Sequence, residues 1–470
     1  ADAATLYAYA DSLRLYERAR ECAEALDRAD DLAAVDTAMG DVYTLKGEPL
    51  TAAEHFERAL AATGDPAEAL RLKCKIGEAY VLIGDTRALT FVDEAKTVID
   101  PTTQPAEYAR VTMIEGRFHH YHGRSREAAE RLHLSLEAAE HPEDVGLQGW
   151  ILGYLAGAYQ HLIRFEESNR WAQRAIDLGK ETDRPGVAAI GYEFKMENAF
   201  MRGLWNECLE HAARHRALAE KACSSDRLAW NHVGQAYARI GRGDLVEAES
   251  TLGDGILLAD KLGDERLAVF LGCWLAQVFA DSGRIDEAVQ MADRWLERAN
   301  TLGFKSGRGE ALRVRAYVAN RTADHDLVLV HAAEAESLLD GSDEQVHPIW
   351  FANIICEALI CSGRHDEAEV KIHNTLEATR TAGMPHFEAL ALRERGRLAA
   401  ARGSKESART DLDTAAAILE ELGSRIELAR TLVLRAPLMD DAEAERDRQR
   451  ARDLFEACGA AGDLAALSAS

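Results

Sequence analysis

The sequence predicts an all-α protein, an α-solenoid of about ten helical hairpins that repeat roughly every 40 residues. Alanine, leucine, glutamate and arginine dominate the composition, which favours helices. One position, usually a small residue, recurs at intervals of 37 to 42 residues, and in most repeats a glycine follows it by seven residues. This position is occupied in turn by Gly40, Gly77, Gly116, Ala156, Met196, Gly234, Ala276, Ala316, Cys356 and Gly396.

The repeat is clearest in residues 228–248, which read LAWNHVGQAYARIGRGDLVEA. Gly234 lets helices approach closely, and Trp230 and Tyr237 are predicted to fill the space between them. Gly241 or Gly243 is predicted to end the first helix, and an amphipathic second helix begins near Ala248. Prolines at 66, 101, 105, 142, 185, 348 and 385 all fall between repeats, where they interrupt no helix.

The 40-residue period also predicts how the two ends of the chain are organised. Residues 1–32 are predicted to be a partial N-terminal unit, 33–424 about ten repeats and 425–470 a degenerate polar cap, all within one solenoid spanning 1–470. Pro437 interrupts the first helix of the terminal unit. Tyr16 and Ala19 match second-helix positions, so we expect the chain to begin inside a repeat and to be a fragment of a longer polypeptide or a processed product.

The net charge and the cysteines limit which kinds of partner and which compartment are plausible. A net charge of -25 disfavours direct contact with nucleic acid, and no apolar run is long enough to span a bilayer. The eight cysteines are scattered without a CxxC pair, which favours buried reduced thiols and a cytoplasmic protein. His119, His120 and His122 form a cluster with possible metal spacing, but we interpret them as surface histidines and expect no metal or cofactor.

The stretch around Gly234 resembles the W-x2-L-G-x2-Y core of tetratricopeptide repeat proteins. The 40-residue unit, with phrases such as GEPLTAAEHFERAL (47–60) and GRIDEAVQMADRWLERA (283–299), resembles a bacterial subgroup: the C-terminal arrays of MalT-like regulators of the LuxR type and of cyclase/ATPase signalling proteins. The resemblance implies a sensor or scaffold array that controls an attached output domain. The sequence itself contains no phosphate-binding loop, nucleophile elbow or dinucleotide fingerprint, so we do not predict an enzyme.

The first helix of each hairpin is predicted to line a concave groove, and fixed positions relative to the recurring residue are predicted to project into it. A basic stretch beside aromatic residues can hold an anion, and paired amides can bind a peptide backbone; solvated charges on an inner wall are the alternative. The candidate groove residues are Arg71, Lys75, Arg110, Arg117, His120, Trp150, Tyr154, Gln160, Glu193, Glu197, Asn231, Gln235, Gln277, Arg313, Asn353, Glu357, Arg393 and Arg397.

These observations predict a non-catalytic scaffold or sensor array that binds a protein or peptide in its groove. The alternative is a regulatory domain that binds a small-molecule effector. The groove arginines and lysine of repeats two to four would repel one another in an empty groove, so we expect an acidic peptide or an anionic metabolite to neutralise them there.

Overall fold

A computed structural model of the chain, which describes residues 3–139 and 144–469, is helical throughout: this part of the chain forms 24 α-helices and one short 3-10 turn, with no strand. Helix α1 (Ala3–Ala25) comes first and α24 (Ala461–Ala469) last. The first helices of the hairpins are α2 (Ala29–Leu45), α4 (Pro66–Ile83), α6 (Pro105–Tyr121), α8 (Val145–His161), α10 (Pro185–Arg202), α12 (Ser225–Arg242), α14 (Glu265–Asp281), α16 (Lys305–Arg321), α18 (Val346–Cys361), α20 (Pro385–Ala401) and α22 (Arg425–Arg435). The second helices are α3 (Pro49–Ala62), α5 (Arg87–Lys96), α7 (Ser125–Ala138), α9 (Phe165–Glu181), α11 (Trp205–Lys221), α13 (Leu245–Leu262), α15 (Ile285–Thr301), α17 (His325–Leu338), α19 (His365–Ala382), α21 (Lys405–Leu422) and α23 (Asp441–Cys458).

The recurring position is buried in all ten repeats and lies on a first helix each time. The left-handed turn follows it by seven residues in nine repeats, but it follows Gly234 by nine residues, at Gly243, so the predicted register is two residues off in that repeat. Gly234 shows why a small residue suits it. A Cβ at Gly234 would lie 2.3 Å from Sδ of Met196 on α10, and Sγ of Cys208 on α11 lies 3.4 Å from the Gly234 carbonyl oxygen. Gly234 therefore permits close packing against the preceding hairpin.

The turns within hairpins use left-handed backbone. Gly203 and Gly283, seven residues past the recurring position, both have φ 79°. In the two repeats without glycine there, Ile163 and Ala323 adopt φ of 53° and 57°. The left-handed conformation is unfavourable for isoleucine and alanine, so the packing of the repeat must impose it at these two positions.

The prediction left Gly241 and Gly243 open as the end of α12, and the structure decides between them. Gly243, with φ 81°, ends α12. Gly241 lies inside the helix, where an added Cβ would lie 2.4 Å from the indole of Trp205. Of the predicted inter-repeat prolines, Pro66, Pro105, Pro185 and Pro385 begin helices, Pro348 lies in the first turn of α18, and Pro142 lies outside the described residues.

Successive turns of the superhelix touch each other, which the repeat pattern did not predict. Arg202 Nε donates to the Gly383 carbonyl oxygen at 2.8 Å, and Arg425 Nε donates to that of Arg242 at 2.8 Å. Such contacts join residues 181 to 219 positions apart, which is about five 40-residue repeats. The superhelix therefore closes after about five hairpins, and each turn packs on the next.

The interior is correspondingly narrow. The ring of Tyr237 on α12 lies 4.6 Å from that of Trp274 on α14 and 5.4 Å from that of Trp350 on α18. Phe200 of α10 and Phe387 of α20 extend this aromatic core. The expected open groove is thus filled by side chains across its middle, because first helices from opposite sides meet there.

The C-terminal unit also packs inward. Helix α22 ends at Arg435, and Pro437 lies in the 3-10 turn Ala436–Leu438, as its ring requires. Helix α24 contacts α14, and its Asp463 is buried in an ion pair with Arg430 at 2.8 Å. A purely polar cap is therefore the wrong description, since this unit contributes to the interior.

Two further features concern membrane-spanning segments and the cysteines. No described helix is both long and apolar enough to cross a membrane. All eight cysteines are free thiols, of which Cys74, Cys208, Cys273, Cys356 and Cys458 are buried. Burial raises the pKa of these thiols, which makes them poor nucleophiles.

Candidate functional site

Two arginines and three aromatic residues line the inner surface where α6, α8 and α14 meet. Arg117 and Tyr121 lie one helical turn apart on α6, and Trp150 and Tyr154 have the same spacing on α8, so each pair shares one face of its helix. Arg266, the second residue of α14, reaches the same place from the next superhelical turn. We call these five residues the arginine–tyrosine cluster.

Stacking holds both guanidinium groups of the arginine–tyrosine cluster. The central carbon of Arg117 lies 4.9 Å from the ring centroid of Tyr154 and 6.0 Å from that of Tyr121. Arg266 lies 5.4 Å from the Tyr121 ring. The two tyrosine rings are perpendicular, with centroids 6.4 Å apart. These distances are those of cation–π contacts, so the tyrosines fix the cations without neutralising them.

Carboxylates act on both arginines of the cluster from a distance, Glu78 on Arg117 and Asp264 on Arg266, but no described carboxylate is in direct contact with them. Neither Arg117 nor Arg266 forms an ion pair with a carboxylate within the residues that the structure describes, and Nε of Arg117 is buried there without a hydrogen-bond partner. Burial lowers the pKa of Arg266, and the charge of Arg117 lowers it further. Although burial acts in the opposite direction, both arginines lower the pKa of Tyr121. The two guanidinium groups are therefore close to aromatic rings and lack a directly bound anion among the side chains described.

Trp150 extends the cluster toward solvent. Its ring stacks on Tyr154 at 5.7 Å and is still 40% exposed, so it is not part of the packing between helices. Arg227, from the first turn of α12, lies 4.7 Å from the Trp150 ring and pairs with Glu193 at 2.6 Å. The exposed indole is thus flanked by an ion pair that is already satisfied.

Comparison with known proteins identifies the architecture. No family model and no curated protein matches the chain. Among solved structures, a Rap protein complexed with Competence and Sporulation Factor matches with a TM-score of 0.55 and 13% identity, over 74% of this chain and 98% of that one. The APC/C hetero-tetramer Cut9–Hcn1 matches with a TM-score of 0.55 and 12% identity, over 94% and 86%. The chain has the tetratricopeptide-type solenoid fold.

The first three predicted cations of this solenoid have partners of their own. Arg71 pairs with Glu68 at 2.6 Å, Lys75 with Asp41, and Arg110 with Asp144 at 2.9 Å. The inference that these charges need an external anion is therefore wrong for all three. Glu68 lies on the same helix as its partner, Asp41 on the adjacent first helix, and Asp144 directly before α8. These acidic residues are outside the positions that were predicted to face the groove.

The predicted amide pair is internal to the solenoid. Asn231 is 1% exposed, and its Nδ2 donates to the Ala212 carbonyl oxygen at 2.8 Å and lies 2.9 Å from His215 Nδ1. Gln235 donates to the Asn231 side chain. These contacts hold α12 against α11, so the expectation that Asn231 and Gln235 bind a peptide backbone is wrong.

The histidine cluster is not on the surface as expected, because the next turn of the solenoid covers it. The ring of His120 lies 4.6 Å from that of buried His161, and burial lowers the pKa of both. His347 from α18 faces the same 70 Å³ cavity and pairs with Glu344 at 2.8 Å. Over residues 3–139 and 144–469, no group of three or more histidine, cysteine, aspartate or glutamate side chains is placed to hold a metal ion.

The C-terminal candidates are engaged in buried ion pairs. Arg313 is 5% exposed and pairs with Glu310 at 2.7 Å, while Gln277 accepts from Arg313 at 2.9 Å. Arg393 is 4% exposed and pairs with Glu394 at 3.0 Å. Asn353, Glu357 and Arg397 line a separate polar cavity, described below.

Two inner acidic residues have opposite pKa shifts. The largest influence on Glu197 is burial, and together with the charge of Glu193 it raises the pKa of Glu197 to about 8. Arg227 and His215 lower the pKa of Glu193 although burial opposes them. Gln160, the remaining candidate, is buried and donates to Asn198 at 3.0 Å, so it joins α8 to α10.

Sequence reasoning missed Arg266 and Arg227, which complete the site. Both lie at the start of a first helix, outside the positions assigned to the groove. Arg266 reaches Tyr121 only because the solenoid closes after about five repeats, and no local pattern encodes that closure. The signal that existed was Tyr121, one helical turn after Arg117 on the same face.

Proposed function

We propose that this solenoid is a non-catalytic binding scaffold that takes an acidic segment of a partner protein against the arginine–tyrosine cluster. The supporting observation is the pair of stacked cations, Arg117 and Arg266, which have no carboxylate partner in the described part of a chain with net charge -25. Acidic side chains are abundant here and neutralise most other inner arginines. Two arginines without one fit an anionic ligand from outside.

A polypeptide segment suits the site better than an isolated anion. Trp150 adds an exposed apolar surface beside the cations, and exposed aromatic rings next to arginine are typical of protein-binding hot spots. The aromatic core around Tyr237 limits such a segment to a short stretch. A solenoid of the same fold has been solved with Competence and Sporulation Factor bound, which supports a binding role by analogy of fold.

Cellular context belongs to the same proposal. Eight unpaired cysteines suit a reducing compartment, and we propose a cytoplasmic location. The resemblance of the 40-residue unit to bacterial signalling arrays supports a place within a larger regulator.

Fluorescence anisotropy with a fluorescein-labelled, glutamate-rich peptide tests the site. Wild-type protein should bind the peptide, with affinity falling as salt rises. Arg117→Glu combined with Arg266→Glu should weaken binding by about a hundredfold or more, because two charge-assisted contacts of roughly 1.5–3 kcal/mol each are lost. The matched control is Arg71→Glu combined with Arg110→Glu, which changes the net charge equally at ion-paired, exposed arginines.

Three results decide the proposal. Unchanged helicity of both double variants, with binding lost in one alone, supports the cluster as the site. Equal loss in both would show that net charge alone drives association, and equal retention would show that the peptide binds elsewhere. Either of these two results refutes the proposal.

A small anionic effector is the second candidate. The narrow interior favours it, since aromatic rings close the groove across its middle in the described part of the chain. Titration with citrate, which has several carboxylates and no peptide backbone, separates the two. Citrate binding that depends on Arg117 and Arg266, without any peptide binding, would favour the effector.

A further inference from the structure

A second polar cavity, distinct from the arginine–tyrosine cluster, lies at the C-terminal end of the superhelix interior. Its volume is about 270 Å³, slightly below the roughly 300 Å³ at which typical ligand pockets begin. Side chains from α16, α18, α20, α22, α23 and α24 line it. Arg397 and Glu357 in its wall keep 20% and 25% of their side-chain surface exposed, so the cavity opens to solvent. We call it the C-terminal cavity.

Charges of both signs line the C-terminal cavity in close balance. Each of its four guanidinium groups contacts at least one carboxylate: Arg397 lies 2.9 Å from Glu357, and Arg321 lies 2.5 Å from Asp463. The lining contains four arginines, Arg321, Arg393, Arg397 and Arg430, and three carboxylates, Glu357, Glu427 and Asp463. Two further carboxylates outside the lining, Glu394 and Asp281, pair with these arginines as well. Because the cations are already matched, a simple anion gains little here.

The fold itself does not require such a lining. At the equivalent depth around Tyr237, Trp274 and Trp350 the same superhelix closes with aromatic rings. Buried ion pairs are often no more stabilising than the apolar side chains that can replace them. A charged lining around an open cavity therefore calls for a ligand that uses both signs of charge.

One polar atom identifies where a donor is missing. Nδ2 of Asn320 donates to Glu357 at 2.7 Å, while Oδ1 of Asn320 is buried without a hydrogen-bond partner among the described residues. An ammonium group placed beside Asn320 and Glu357 would donate to both. The guanidinium groups of Arg321 and Arg397 also line the cavity and can donate hydrogen bonds to the carboxylate of the same ligand.

Part of the lining of the C-terminal cavity is apolar. It is formed by Val433, Leu434, Phe455, Ala466 and Leu467. A ligand with an ammonium, a carboxylate and an aliphatic or aromatic side chain matches these three surfaces together. We propose that the C-terminal cavity binds a free α-amino acid with an apolar side chain.

Isothermal titration calorimetry of the full chain tests this with leucine and two analogues that each lack one charge. Leucine should bind, whereas leucinamide, which lacks the carboxylate, and 4-methylpentanoate, which lacks the ammonium, should each bind at least about tenfold more weakly. Asn320→Ala should weaken leucine binding by about tenfold or more. The matched control Asn300→Ala removes an exposed amide at the end of α15 and should leave binding unchanged.

The outcomes separate this site from the peptide site. The Arg117→Glu, Arg266→Glu double variant should bind leucine like wild type, whatever it does to the acidic peptide. No heat with leucine, methionine or phenylalanine up to millimolar concentrations would overturn the proposal. Equal binding of leucine and either analogue, or full leucine binding by Asn320→Ala with a wild-type circular dichroism spectrum, would overturn it as well.

Discussion

Asp343 joins two turns of the superhelix, and removing its carboxylate should loosen that contact. The carboxylate accepts hydrogen bonds from the backbone N–H of Ser125 at 2.6 Å and of Arg126 at 3.0 Å, so it caps the N-terminus of α7 from 217 or 218 residues away. Losing a helix cap costs about 1 kcal/mol, and losing a negative charge at a helix N-terminus costs about another 0.3–1 kcal/mol. Asp343→Ala should therefore destabilise the contact by about 1–2 kcal/mol, and Asp343→Asn by less.

Hydrogen exchange followed by mass spectrometry measures this directly. Exchange of the Ser125 and Arg126 amides should accelerate about tenfold in Asp343→Ala, because about 1.4 kcal/mol corresponds to a factor of ten. The neighbouring, exposed Asp340 provides the control, and Asp340→Ala should leave these amides unchanged. If both substitutions, or neither, changed exchange in the segment, the contact between turns would not depend on this cap.

Two further predictions concern packing and charge. Gly191→Ala should lower the free energy of unfolding, measured by urea denaturation, by about 1–2 kcal/mol despite the higher helix propensity of alanine, because the new Cβ would lie 2.3 Å from the backbone oxygen of Ala172. The control is Gly253→Ala, whose Cβ meets no atom within 4 Å. It should raise the free energy of unfolding by up to about 1 kcal/mol. In the folded protein the pKa of Glu197 is raised to about 8, so its carboxyl group stays protonated at pH values where the unfolded chain has already lost that proton. The contribution of Glu197 to the free energy of unfolding therefore falls as pH rises from about 4.5 to 8. Glu197→Gln should lack this fall, and its advantage in denaturation midpoint over wild type should grow across that range; a constant difference would contradict the shifted pKa.

Local pattern sufficed to predict the hairpins and, except in the Gly234 repeat, their register. Gly234 must be small because Met196 lies against it, and in the other nine repeats a turn seven residues after the recurring position needs left-handed backbone. Both requirements act within one hairpin or between neighbours, so they recur every 40 residues and can be read from the sequence. The fold class followed from them.

Superhelix closure could not be predicted in the same way. It depends on a small rotation at every interface, which accumulates over about five repeats and leaves no periodic signal. Trp150 and Trp350 illustrate the consequence, because both lie six residues before the recurring position of their repeats. Trp150 is 40% exposed, while Trp350 is 7% exposed because Tyr237 from another part of the superhelix stacks on it. The same repeat position thus serves as a surface in one turn and as core in the next.

Closure also changes how an occupied site can affect the rest of the molecule. Arg117 belongs to one turn and Arg266 to the next, and burial together with their mutual repulsion opposes bringing them together. The cap made by Asp343 acts in the opposite sense, since it attaches the two turns a short distance along the superhelix. If the proposed acidic segment binds at the two arginines, it removes the repulsion and leaves the attraction. In that case binding and closure favour each other, and by linkage any change that opens the turns must weaken the binding of that segment by the same free energy.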